Sequence, residues 1–400
     1  MAPEVPVEGQ ETLGEPFTLT HMSEPAPNAD GKPLWIEVVT DTYAPDINGV
    51  AFSLAKLCHG LRARGHRVEV IRPGRGGEGE FPVPWWPLPG YWEIRVGAPL
   101  PGQLRRRWKK NRPDIIYVAI ETPLGFTAMR TARKLGIPVI GGFHTNFREY
   151  LDQYGMKGFA RRVWSYQKWF HGQLARTLVP SPDARRRLMD AGFENVVVLG
   201  RGVDTGRFHP GRRDPALRRE WGVEGDAPIA LVVGRVSPEK NIGLAIRAFQ
   251  RMRESQPDLA CVVVGDGPAR ARLEKENPDV RFTGYRTGEA LAACYASADV
   301  LMFPSETETF GNVLLEGMAS GLAVLAYDYA AAGWHGVDGV NCLKVPKGDE
   351  SAFLTAAARL TDAGLRRLLG HGALATAGSL GWPAVVAELE NILRDVIRED

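Results

Sequence analysis

Val300-Leu-Met-Phe-Pro-Ser-Glu-Thr-Glu-Thr-Phe-Gly-Asn-Val-Leu-Leu-Glu316 is the stretch from which the fold is read. Val300-Leu-Met-Phe303 is an apolar run of strand length, Pro304 stops it, and Val313-Leu-Leu-Glu-Gly-Met-Ala319 resumes a mostly apolar pattern of helical type. Strand, polar turn and helix make one βα unit, and in an open parallel sheet ligands gather beyond the carboxyl end of the strand. Glu308 lies in that turn and Glu316 eight residues further on. With a helix starting near Phe310, the amides of Phe310, Gly311 and Asn312 point out of its N-terminus, and Glu316 sits ~12 Å along by helical rise. That span suits a diphosphate at the amides, approached closely over Gly311, with hydroxyl-bearing sugar rings at the two carboxylates.

Outward from this unit the same alternation recurs. Strand-like runs at 228–233, 259–264, 280–283 and 323–326 form one series. Runs at 34–40, 68–71, 114–119, 138–143, 177–180 and 196–199 form another, with helical spacing between them, as at Val50, Leu54, Leu57 and Leu61. The stretch from Arg201 to Pro215, dense in Gly, Pro and charge, separates the two. The expected class is α/β, two Rossmann-like doubly wound domains facing across a cleft. The boundaries are 34–205 for the first, 206–381 for the second, and a disordered tail over 1–33, rich in Pro, Glu, Gly and Ser, in which Met22 is an alternative start.

Composition narrows the partners. With 44% hydrophobic and 24% charged residues the chain is globular, and a net charge of +2 argues against a nucleic-acid binder. Cys58, Cys261, Cys294 and Cys342 show no C-x-x-C pair and read as packing residues in a reducing compartment. The acidic, proline-containing N-terminus does not read as a signal peptide, and no apolar run approaches spanning length. The expected location is cytoplasmic, with at most peripheral contact on the inner membrane face. Leu104-Arg-Arg-Arg-Trp-Lys-Lys110, with Trp85, Trp86 and Trp92, and the segment 161–170 mix basic and aromatic side chains as an anionic lipid surface would require.

Three further stretches follow strands and so face the same cleft. Gly234-Arg-Val-Ser-Pro-Glu-Lys240 places Ser237 and Pro238 as the opening of a helix with Ile242, Ala245, Ile246 and Phe249 on its buried face. Lys240 near the positive end of that helix, with Arg235 close by, is unfavourable unless an anion lies between them. Gly141-Gly-Phe-His144 puts His144 on the opposite wall, and Asn48-Gly49 ends a first-strand loop whose amides suit phosphate or sugar. Gly265-Asp-Gly-Pro-Ala-Arg270 prompts a rival reading, a dinucleotide-dependent dehydrogenase, but its third glycine is replaced by Arg270.

Taken together, Gly234, Arg235 and Lys240, the pair Glu308 and Glu316, the His144 loop and the Asn48-Gly49 turn resemble the family 4 retaining glycosyltransferases of GT-B fold. The resemblance runs from Leu34 to the C-terminus. Phe143–Tyr150, Arg201–Asp204 and Ala326–Ala332 look most like the bacterial GDP-mannose-dependent alpha-mannosyltransferases. It implies that Arg235 and Lys240 hold a donor diphosphate, Glu316 the donor ribose, and Glu308 and His144 the transferred sugar. Donor contacts are implied also at Asn48, Gly49, Gly234, Gly265, Phe310, Gly311, Asn312 and Val313, with Tyr285 at the base-binding edge. The implied helix 382–400 crosses back onto the first domain. No cofactor and no metal are implied, since no Asp-x-Asp is present, and the partners are a nucleotide-sugar donor and a lipid or saccharide acceptor. The donor alternatives are a UDP-hexose or UDP-uronic acid, and a non-catalytic nucleotide-sugar binding protein is the alternative of another class. One departure is Ala330-Ala-Ala332, where many relatives have a Gly-Gly pair.

Overall fold

Ile229-Ala-Leu-Val-Val233 has a parallel neighbour on each side, which is why its residues are apolar without alternation. The computed structural model describes residues 31–399 except 47, 75, 89–90 and 145–156. The expected tail up to residue 30, Met22 and the 145–150 part of the His144 motif lie outside the described residues.

The first domain contains β1 (Trp35–Val39), β2 (Arg67–Pro73), β3 (Glu80–Val83), β4 (Trp85–Leu88), β5 (Tyr91–Gly97), β6 (Ile115–Val118), β7 (Val139–Gly142), β8 (Arg176–Val179) and β9 (Val196–Val198). Its parallel sheet has the order β3-β2-β1-β6-β7-β8-β9, and β4 with β5 form a separate antiparallel hairpin. The second contains β10 (Ile229–Val233), β11 (Ala260–Val264), β12 (Val280–Gly284), β13 (Val300–Phe303), β14 (Ala323–Tyr327) and β15 (Leu343–Val345), in the order β12-β11-β10-β13-β14-β15. In each sheet the strand order reverses beside the first strand, between β1 and β6 and between β10 and β13. Such switch points open the crevice in which α/β sheets take ligands.

β3, β4, β5 and β15 are absent from the sequence-based list. Pro82 interrupts β3 and Pro87 interrupts β4, and all four strands lie at sheet edges or in the hairpin, where apolar patterning is weak. The last helix, Trp382–Glu399, buries Val385, Val386, Leu389, Leu393 and Val396 in the same cluster as Leu54, Leu57 and Leu61 of the helix Gly49–Ala63. The two helices cross so closely that a Cβ on Gly60 would stand 2.4 Å from Val386. The chain therefore passes between the domains twice, and Val203 pairs with Gly381 where the two passages meet. Lys56 anchors the first passage through a buried ion pair with Asp204 at 2.9 Å.

Candidate active site

Two glycines shape the second domain's wall. Gly234 leaves β10 with φ +146 and Gly265 leaves β11 with φ +147, and a Cβ on Gly265 would lie 1.9 Å from the Gly234 carbonyl oxygen. Gly265 thus serves a backbone crossing, and Gly267, whose Cβ would meet the Val236 oxygen at 2.5 Å, serves the same one. The glycines that prompted the dinucleotide reading have this packing cause.

The helix expected to open at Ser237 begins at Ile242. Pro238–Lys240 is a single 3-10 turn and Asn241 is left-handed at φ 49, which ends that turn before the helix starts. Ser237 Oγ donates to Glu239 Oε1 at 2.6 Å instead of capping, and the Glu239 carbonyl accepts the Glu306 amide at 3.1 Å. The turn is thereby tied to the loop after β13, and Ile242, Ala245, Ile246 and Phe249 are buried as expected. Lys240 Nζ donates to Glu308 Oε1 at 2.5 Å, both side chains being largely buried. Arg235 is exposed, and among the described residues its guanidinium has no partner.

After β13, Gly311 at φ +95 leads into the helix Asn312–Ala319, two residues later than expected. Among the described residues no acceptor pairs with the amides of Phe310, Gly311 or Asn312. The Phe310 ring does not line the opening: it is buried edge-on against Trp334 and His335, at centroid distances of 6.4 and 6.0 Å. Its contribution is backbone, and its carbonyl also accepts the Ala331 amide at 2.9 Å. Val313 is half-buried beside it, and Tyr285 stands exposed just beyond β12. Glu316 accepts a hydrogen bond from the buried Tyr295 hydroxyl at 2.8 Å, and burial pushes its carboxyl up to about 7, with Tyr295 and Arg207 opposing the rise.

On the first domain's wall, the Asn48 side chain caps a helix. Its Oδ1 accepts the Val50 and Ala51 amides at 3.1 and 2.9 Å and its Nδ2 donates to Thr42 Oγ1 at 2.7 Å. Oδ1 thereby caps the helix Gly49–Ala63, as an Asn just before a helix does by accepting free N–H groups. Gly49 is exposed, with nothing within 4 Å of a Cβ built there.

His144 is buried just beyond β7, with Arg201 Nη2 at 2.8 Å from its Nδ1 and the Tyr117 hydroxyl at 3.0 Å from its Nε2. Burial, then Arg201, hold it well below the ordinary imidazole range, so it is neutral. Arginine only donates, so Nδ1 accepts and Nε2–H donates to Tyr117. Gly142 makes the room, since a Cβ there would lie 2.2 Å from His144 Nε2 and 2.6 Å from the Tyr117 hydroxyl.

The domains meet where Ala330, at φ 52, donates its amide to Asp183 Oδ2 of the first domain at 3.1 Å. Tyr329 beside it donates to the Ser305 carbonyl at 2.7 Å. The structure therefore joins Lys240 to Glu308, Glu316 to Tyr295, and His144 to Tyr117 and Arg201. Sequence reasoning missed Tyr117, Tyr295 and Asp183, which carry no local motif. It counted Arg201 in the linker, although that residue follows a strand end as His144 does.

Residues 47–207 match Glycosyltransferase Family 4 and residues 227–363 match Glycosyl transferases group 1. A GDP-mannose-dependent alpha-mannosyltransferase of Mycolicibacterium smegmatis is 37% identical over a 308-residue match that covers 73% of this chain and 79% of that one. The chain is a family 4 glycosyltransferase. This glycosyltransferase is also 31% identical over 302 residues to the GDP-mannose-dependent alpha-(1-6)-phosphatidylinositol dimannoside mannosyltransferase of Mycobacterium tuberculosis, covering 71% of this chain and 76% of that one. Its GT-B fold is that of the Anabaena Alr3699/HepE structure solved with UDP, with a TM-score of 0.72 at 17% identity over 90% of this chain and all of that one. Membership of this family replaces the dehydrogenase reading. No helix among the described residues is long and apolar enough to cross a membrane.

Proposed function

We propose that this glycosyltransferase moves mannose from GDP-mannose to a lipid or saccharide acceptor with retention of configuration and without a metal. The observation that supports it best is a cluster of donors at the switch point between β10 and β13, suited to a diphosphate. There Arg235 has no partner among the described residues, Lys240 is aimed by Glu308, and the amides of Phe310, Gly311 and Asn312 are unpaired. Two cations and a helix N-terminus neutralise departing negative charge where a divalent ion otherwise would. Among the described residues no group of three His, Cys, Asp or Glu side chains is arranged to hold one. Mannose and GDP are the donor parts on which the mannosyltransferase relatives depend.

In this reading Glu316 accepts the ribose hydroxyls, and Glu308 holds Lys240 while facing the sugar. The bond from sugar C1 to the diphosphate oxygen breaks as C1 bonds to the acceptor oxygen on the same face, and the acceptor proton passes to the leaving phosphate. His144, neutral and fixed, walls the sugar from the first domain.

A lipid acceptor fits the first domain's surface, in a cytoplasmic enzyme that touches the inner membrane face. Trp85 and Trp86 are 43% and 41% exposed on the hairpin, and Arg105, Arg106, Lys109 and Lys110 are exposed on the helix Pro101–Lys110. Trp108 of that helix takes no part, being buried with its indole donating to Glu37 at 2.6 Å. The test is acceptor-dependent release of nucleoside diphosphate from GDP- and UDP-sugars, with and without EDTA, followed by anomeric analysis of the product. GDP-mannose consumed in EDTA with an α-linked product is expected. Consumption of a UDP-hexose or UDP-uronate instead overturns the donor, and loss of activity in EDTA overturns metal independence. Flotation with anionic vesicles, lost in Trp85→Ala/Trp86→Ala, tests the membrane face.

A further inference from the structure

Four lysines or arginines are buried among the described residues: Lys56, Arg72, Arg201 and Arg218. Three of them face a carboxylate, Lys56 with Asp204 at 2.9 Å, Arg72 with Glu80 at 3.5 Å and Arg218 with Asp299 at 3.3 Å. Arg201 has none among the described residues: its one hydrogen bond goes to neutral His144. Burial pulls the guanidinium below its ordinary value, and Tyr117, not a carboxylate of the described residues, opposes that pull. A fold that pairs its other buried cations and leaves this one bare holds a charge whose counterion comes from outside the chain.

The place fits that conclusion. Tyr117 lies on β6, His144 follows β7 and Arg201 follows β9, so the three converge at the carboxyl edge of the first sheet, beneath the crevice. Gly200, next to Arg201, packs against Trp334 of the second domain, where a Cβ would lie 3.1 Å from the indole. The ring of His144 holds one edge of the guanidinium and leaves its other N–H groups without an acceptor among the described residues, a planar fork that matches a carboxylate or phosphate.

We propose that Arg201, oriented by His144 and Tyr117, is a receptor for an oxyanion, a carboxylate or a phosphate, borne by the acceptor or by the transferred sugar. This site is separate from the diphosphate receptor at Arg235 and Lys240, and the proposal rests on that receptor being the donor site. The substrate that completes the reaction is therefore anionic at a second point, opposite the nucleotide.

The test is calorimetric titration of the protein, first saturated with GDP or UDP to fill the donor site, with inorganic phosphate, glucuronate and neutral glucose at constant ionic strength. Wild type is expected to bind phosphate or glucuronate and not glucose. Arg201→Gln is expected to weaken that binding at least tenfold, Arg201→Lys less, with nucleoside diphosphate affinity unchanged in both. Absence of anion binding to the saturated wild type, a measurement independent of any variant's folding, overturns the proposal. Equal anion binding in Arg201→Gln overturns it as well. Loss of nucleoside diphosphate affinity in Arg201→Gln assigns the residue to the donor diphosphate and equally refutes it. Failure of GDP and UDP themselves to bind refutes the donor site instead. Repeating the titration with the intact nucleotide sugar separates the sources: binding that persists assigns the anion to the acceptor, and binding that the sugar blocks assigns it to the sugar.

Discussion

Between pH 5.5 and 8.5, affinity for the nucleotide donor is expected to rise with pH, with Glu316 setting the midpoint. Burial pushes this carboxyl from an ordinary value of 4.5 up to about 7. Ionised, it offers both oxygens to ribose hydroxyls; protonated, it loses an acceptor. Hydrogen bonds to a charged group are worth roughly 1.5–3 kcal/mol, so affinity should fall on the order of ten- to a hundredfold as pH drops through the midpoint. Tyr295→Phe removes the hydroxyl that donates to Glu316 at 2.8 Å and so raises the midpoint, by roughly one pH unit. Glu316→Gln, which does not titrate, separates this effect from ionisation of the nucleotide's own phosphate. The assay is calorimetric titration with GDP across the range. A dissociation constant that follows Glu316→Gln at every pH, or a downward midpoint shift in Tyr295→Phe, refutes the reasoning. Stability of the ligand-free protein has the opposite sign. A raised carboxyl contributes stability that is complete below 4.5 and is lost as pH rises through about 7, so the ligand-free melting temperature should decline over that window.

Gly265→Ala places a Cβ 1.9 Å from the Gly234 oxygen at φ +147, and should cost about 3 kcal/mol or more, lowering Tm by roughly 6–12 °C; scanning calorimetry showing no change would count against the crossing. Lys240→Ala should reduce kcat/KM on the order of a thousandfold while the protein stays folded, and near-normal transfer would remove the charge-neutralising mechanism. Gly142→Ala, whose Cβ would meet His144 Nε2 at 2.2 Å, should abolish transfer but leave GDP affinity unchanged, because the displaced ring lies on the wall away from the nucleotide; equal losses of both would contradict that separation.

What could be read along the chain was whatever depends on near neighbours in it. Apolar runs of strand length followed by helical spacing specify two series of βα units, since each element's burial is written into its own residues. Glu308, Gly311 and Glu316 share one such unit, so their order along its turn and helix could be read directly, although the left-handed Gly311 delays the helix to Asn312. The expected start at Ser237 failed for a reason equally local: Asn241 adopts a left-handed conformation that the Ser-Pro pair does not reveal. β3 and β4 were hidden by Pro82 and Pro87, whose missing N–H groups are tolerated because those strands lie at an edge or in a hairpin.

Only tertiary structure decided which side chains meet. Lys240 reaches Glu308, 68 residues away, because β10 and β13 are neighbours in the sheet. Strand order similarly brings Tyr117, His144 and Arg201 together from the ends of three different segments, leaving a buried cation whose lack of a carboxylate among the described residues no stretch of sequence displays. The physical reason is one of range: conformational preference acts over a few residues, whereas pairing of charges depends on through-space distance and burial, which the chain acquires only when its sheets assemble.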